Sequence, residues 1–125
     1  MSHRLLVLDD DPGLLTLLRT YFGGLGWLVT VCADASKALE LVGSDPPFDA
    51  VICDLHFTGA HLGEGFELVS RARRRWPDAA VLLFTGVPGP GVREEALRRG
   101  ADEVILKPAP LSRLRDAALR AMKKP

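Results

Sequence analysis

"LLVLDDDPG", Leu5 to Gly13, runs four apolar residues directly into three acids. Leu5, Leu6, Val7 and Leu8 read as a buried strand. Crowding Asp9, Asp10 and Asp11 behind it is costly. Two carboxylates about 4 Å apart repel by roughly 1 kcal/mol in water and roughly 4 kcal/mol near a protein surface. Two explanations compete: a solvated turn that caps the next helix, or a site built for a cation.

Outward from this stretch, four more short apolar runs follow: "WLVTVC" (27–32), "DAVICD" (49–54), "AVLLFT" (80–85) and "EVILK" (103–107). With "RLLVLD" (4–9) they are near-continuous in Val, Ile and Leu, as expected where both faces of a parallel sheet are covered. Helix-period stretches separate them. Asp11 then Pro12 reads as a cap and first helical position, with Leu14, Leu15, Leu18, Tyr21 and Phe22 as a buried stripe up to Gly23-Gly24. A second helix spans Ser36 to Val42 and is ended by "GSDPP". Phe66, Val69, Ala72 and Trp76 space a third, residues 92–99 form a fourth closed by Gly100, and Leu111, Leu114, Ala118 and Met122 mark a fifth. Five strand-then-helix repeats predict a doubly wound α/β fold, with residues 1–125 as a single domain.

At 125 residues the chain can bury a core without disulfides or metals as staples. Basic and acidic residues total 16 each, which gives no electrostatic footprint for nucleic acid or an anionic membrane surface. The apolar runs fall far short of the ~20 residues of a membrane span. No charged-then-apolar leader opens the sequence, so a cytoplasmic location is expected. Cys32 and Cys53 lie inside apolar runs and fit neither a zinc motif nor a redox pair, so both read as buried thiols. Arg71, Arg74 and Arg75 of "RARRRW" fall off the inner face of the third helix and read as a solvated surface.

In doubly wound folds ligands bind outside the carboxyl ends of the strands. Those ends carry Asp9 and Asp10, Asp54, Thr85 and Lys107, with Asp34 just beyond the second strand. Each residue alone has an ordinary explanation as a cap, a loop acceptor or a solvated charge. Together, on four strand ends of one sheet, they define a candidate site.

The order of an acidic pair, a lone Asp, a Thr and then Lys-Pro resembles the receiver domain of two-component response regulators. The resemblance runs from "LLVLDDDP" through "VICDL" and "LLFTG" to "GADEVILKPA". It implies a flavodoxin-like five-stranded parallel sheet of order 2-1-3-4-5 with five helices. That order puts Cys32 and Cys53 two strand spacings apart, about 9.6 Å and too far for a disulfide.

The resemblance also implies a chemistry. Mg²⁺ prefers oxygen ligands, keeps several waters and bridges carboxylates to phosphate. Asp10 is expected to bind it directly and Asp9 largely through water, with Asp54 and the backbone carbonyl of His56 as further ligands. Asp11 remains a helix cap. Asp54 is the expected nucleophile, forming an aspartyl phosphate. Lys107 is expected to pair with one phosphoryl oxygen and Thr85 to donate a hydrogen bond to another. Gly86 leaves room for the donor, and the Lys107–Pro108 bond is expected to be cis. The implied partners are a histidine kinase or histidine phosphotransfer protein and a downstream output protein or domain. The phosphoryl group sets a switch rather than turning over a substrate.

The sequence departs from the family pattern at three places. "DLHFTGAHLGEG" has Phe57-Thr58 where the family has Met-Pro, and Gly65 comes eleven residues after Asp54, later than usual. Val104 stands where an aromatic residue is common. "GVPGPG" (86–91) predicts an irregular connection before the fourth helix. These departures leave open a receiver that signals through protein contacts without phosphate. A hydrolase using Asp54 as nucleophile fits less well, because the position of its second Asp is His56.

Overall fold

A computed structural model of the chain describes residues 2–43, 47–55, 62–86 and 89–122. The apolar runs become strands β1 (Arg4–Leu8), β2 (Leu28–Cys32), β3 (Ala50–Cys53), β4 (Ala80–Thr85) and β5 (Glu103–Leu106). Between and after them lie helices α1 (Pro12–Gly24), α2 (Ala35–Val42), α3 (Leu62–Arg75), α4 (Val92–Arg99) and α5 (Leu111–Ala121). The strands pair in parallel in the order β2-β1-β3-β4-β5. Fold class and strand order are those expected.

Successive side chains on a strand point to opposite faces, which divides the core in two. Leu6, Leu8, Val51, Cys53, Val81 and Leu83 pack with Ala38 of α2, Val69 and Ala72 of α3 and Ala96 of α4. Leu5, Val7, Ile52, Leu82 and Phe84 pack on the other face with Leu18 and Phe22 of α1 and Leu114 and Ala118 of α5. β3 and β4 are buried along their whole length, whereas the edge strands β2 and β5 are mostly half-exposed. The near-continuous apolar runs therefore reflect two covered faces for the inner strands only.

Local chemistry sets the helix starts. The Asp11 carboxylate accepts from the N–H of Gly13 at 2.9 Å and of Leu14 at 3.3 Å, the expected cap. Asp34 does the same for α2, accepting from Ser36 N at 2.8 Å and Lys37 N at 3.3 Å. α3 carries its inner stripe on Val69 and Ala72, with Leu68 also buried and Trp76 buried just past the last turn. Arg71, Arg74 and Arg75 are exposed, as the pattern required.

Arg73 is different from its neighbours. Its guanidinium donates to the carbonyls of Gly100 (2.9 Å), Pro77 and Ala79 (both 2.8 Å) and to Asp102 Oδ2 at 2.6 Å. It ties the α3–β4 turn to the α4–β5 turn. Gly100 has φ of +114°, and an added Cβ would lie 2.7 Å from Arg73 Cγ, so a side chain there is excluded twice over. Both cysteines are buried and free, on strands separated by β1. Burial, reinforced by the charges of Asp54 and Asp9, pushes the Cys53 thiol far above its ordinary value and leaves it unreactive.

Candidate functional site

Backbone hydrogen bonds extend the sheet by one residue beyond the strand ends and so fix the polar groups there. Asp54 N–H donates to Leu8 O at 2.8 Å, Asp9 N–H to Cys32 O at 3.1 Å, and Lys107 N–H to Thr85 O at 2.9 Å. The residues that follow β1, β3 and β5, with the last residue of β4, thereby meet at one edge. Asp9, Asp54 and Thr85 are buried, and Asp10 is half-buried. One oxygen from each of Asp9, Asp10 and Asp54 lies within 4.8 Å of the other two.

Lys107 reaches into this group. Its Nζ is 2.7 Å from Asp9 Oδ2 and 3.0 Å from Asp54 Oδ2. Asp9 Oδ1 accepts from the Asp11 N–H at 3.0 Å. Burial pushes the Asp9 carboxyl above its ordinary value, and the hydrogen bonds from Lys107 and Asp11 N–H pull it back only in part. Burial works against the Lys107 charge, but its hydrogen bonds to Asp9 and Asp54 and their negative charges outweigh it, so its pKa is raised. Asp54 Oδ1 is buried with no hydrogen-bond partner. A carboxylate oxygen in that position keeps its lone pairs uncommitted.

Three carboxylates against one ammonium leave a formal surplus of two negative charges, the complement of one divalent cation. All the side-chain donors are oxygens, which suits Mg²⁺ or Ca²⁺ rather than a soft metal. The residues present fit such an ion.

Of the residues singled out in the sequence, Asp9, Asp10, Asp54, Thr85 and Lys107 converge. Asp11 and Asp34 are caps. His56, expected to give a carbonyl ligand, and most of the long loop after Asp54 lie outside the described residues. The Lys107–Pro108 bond is cis, as the resemblance implied. Gly65, buried in the first turn of α3, sits against the backbone of Leu55, the residue after Asp54; an added Cβ would lie 2.9 Å from Leu55 Cα. Val104 is half-buried and lines a groove of about 410 Å³ with Gly89, Pro90, Gly91, Val92 and Leu106. One neighbour of the site gave no sequence signal: the Phe84 ring, whose centroid is 5.5 Å from Lys107 Nζ.

The family model described as the response regulator receiver domain matches residues 5–119. The chain belongs to the response regulator receiver family. This receiver domain is 35% identical, over 98% of its length, to the transcriptional activator protein PfeR of Pseudomonas aeruginosa, of which it covers 39%. It is 33% identical to response regulator MprA of Mycobacterium ulcerans, again over 98% of its length, covering 50% of that protein. The chain thus spans half or less of the length of these curated relatives. Among solved structures, a response regulator protein from Burkholderia pseudomallei, with a phosphorylated aspartic acid, calcium ion and citrate, matches with a TM-score of 0.85 at 26% identity. That match covers 94% of the receiver domain and 66% of the Burkholderia chain. Among the described residues no helix is long and apolar enough to cross a membrane.

Proposed function

We propose that this receiver domain accepts a phosphoryl group on Asp54 and acts as a switch between a phosphodonor and a downstream partner. The observation that carries the reading is the state of the Asp54 carboxylate. It is buried, with Oδ1 unpartnered and Oδ2 held 3.0 Å from the Lys107 ammonium. An Asp54 oxygen attacks phosphorus, a new P–O bond forms, and the bond from phosphorus to the donor breaks. The donor leaves with that electron pair. The Lys107 ammonium pairs with a phosphoryl oxygen, and the Thr85 hydroxyl donates to another.

Asp9, Asp10 and Asp54, with the His56 carbonyl implied by the family resemblance, are the residues that would hold Mg²⁺. When bound, the ion screens the negative charges of donor and acceptor. The donor is a phosphohistidine of a histidine kinase or phosphotransfer protein, or a small acyl phosphate. The output partner is a protein surface or domain, and the switch operates in the cytoplasm without direct contact to nucleic acid or membrane. The Burkholderia structure supports the reading, since it contains a phosphorylated aspartic acid and a calcium ion.

Incubation with acetyl phosphate and Mg²⁺, followed by intact mass and peptide mapping, tests this. One phosphoryl group is expected on the wild type, mapped to Asp54, and none on Asp54→Asn. A wild type that takes no phosphate would favour a receiver that works by protein contact alone. Labelling mapped elsewhere would overturn the assignment of Asp54.

A further inference from the structure

Lys107 has a third neighbour besides its two carboxylates. The Phe84 ring lies with its centroid 5.5 Å from Nζ, within the range of a cation–π interaction. The sheet register explains why. Phe84 pairs with Ile105, and Lys107 follows two residues later, its N–H still bonded to Thr85 O at 2.9 Å. Residues two apart on a strand share a face, so the lysine stem leaves the sheet on the side of the ring. Phe84 itself is 3% exposed, in a core layer of mainly aliphatic side chains that includes Val7, Ile52, Leu82 and Ile105. Its ring is pinned, and the cation comes to it.

The proposed reaction requires Lys107 to change partners. A phosphoryl group on Asp54 takes over a carboxylate oxygen, and a divalent cation competes for Asp9. Both anchors that hold the ammonium at 2.7 and 3.0 Å are therefore altered at the moment Lys107 must meet the phosphoryl oxygen. The ring is unaffected by either event. It attracts the charge through its quadrupole without presenting an oxygen that must be released.

We propose that Phe84 is a positioning residue for Lys107, its ring holding the ammonium at the site while the carboxylate contacts give way to a phosphoryl oxygen. The inference rests on the phosphoacceptor reading, but the contact between ring and ammonium can be tested apart from it.

The experiment places phenylalanines of increasing fluorination at position 84, which keeps shape and packing while draining the ring quadrupole, alongside Phe84→Leu. Two quantities are read. The first is the Lys107 side-chain NMR signals in the unphosphorylated, metal-free protein. Ring-current shifts of its methylene protons should be present in the wild type and lost in Phe84→Leu. The second is the rate of phosphorylation by acetyl phosphate with Mg²⁺. The rate should fall in graded fashion along the fluorinated series, by on the order of fivefold at full fluorination.

Lys107 signals unchanged in Phe84→Leu would overturn the proposal, whatever the rates. Rates flat across the fluorinated series, with only Phe84→Leu slow, would also overturn it and return Phe84 to core packing. A wild type that takes no phosphate would remove the phosphoacceptor reading and this role with it. The NMR arm would still report whether the contact exists.

Discussion

Replacing Lys107 with Met keeps the stem and removes only the ammonium between Asp9 and Asp54. At an effective dielectric of about 20, opposite charges 2.7 and 3.0 Å apart attract by roughly 6 and 5.5 kcal/mol. Desolvation of the three ions offsets most of that gain. Removing one member of a buried pair typically costs about 3–5 kcal/mol, because the remaining charge is stranded. The lysine side chain is still 24% exposed, so solvent screens it and the lower end, about 3 kcal/mol, is expected for Lys107→Met without divalent ions at neutral pH. The loss has a particular signature. The variant leaves the three carboxylates without the Lys107 ammonium, so Mg²⁺ should stabilise it more than it stabilises the wild type. Lowering the pH should also narrow the gap, because burial already pushes Asp9 toward protonation. Urea denaturation in EDTA and in excess Mg²⁺ measures both. Equal stability of variant and wild type in EDTA, or equal stabilisation of the two by Mg²⁺, would refute this account of the site's charge balance.

Three further outcomes follow from the same geometry. Asp10→Ala should weaken Mg²⁺ binding, measured by titration calorimetry, since it removes one of three carboxylates whose oxygens lie within 4.8 Å of one another. The raised Lys107 pKa contributes stability that is fully present below the ordinary value of 10.5 and is lost as pH climbs through the higher folded value. Alkaline denaturation should therefore set in at lower pH for Asp9→Asn than for the wild type. Gly65→Ala puts a methyl group against the Leu55 backbone at 2.9 and 3.0 Å, a contact that cannot be relieved by rotating a side chain. A loss of about 1–3 kcal/mol is expected, with slower phosphorylation of the adjacent Asp54, measured by denaturation and by mass-resolved time courses.

The site was legible in the sequence for a local reason. In a parallel sheet with both faces covered, the first polar residue after each apolar run marks the carboxyl edge, and Asp9, Asp54 and Lys107 each hold that position. Strand order was not legible from periodicity; it came from the family resemblance, and only then could four strand ends be placed side by side. Asp34 shows the limit of the rule. It is the first acid after β2 as Asp9 is after β1, yet it stands one residue further on and caps α2. Arg73 and Phe84 were hidden by their company. An arginine in "RARRRW" looks like any other, and two of its four hydrogen bonds depend on a turn remote in sequence, at Gly100 and Asp102. A phenylalanine in "AVLLFT" is one more apolar residue until the register sets Lys107 on its side.

The three acids that open the site are divided among three tasks by position alone. Asp11, one residue into the turn, spends its carboxylate on the N–H groups of α1 and gives the cluster only its own N–H, which donates to Asp9 Oδ1. Asp9 is anchored to the sheet by its own N–H, so its side chain stays buried against Lys107. Asp10 lies between them, half-buried, with an oxygen within 4.8 Å of those of Asp9 and Asp54. Asp9, Asp10 and Asp54 gather three carboxylates in one place, and the Lys107 ammonium bridges two of them, Asp9 and Asp54. The repulsion left over is therefore the physical argument for a ligand. Positive charge arriving from outside would relieve it further.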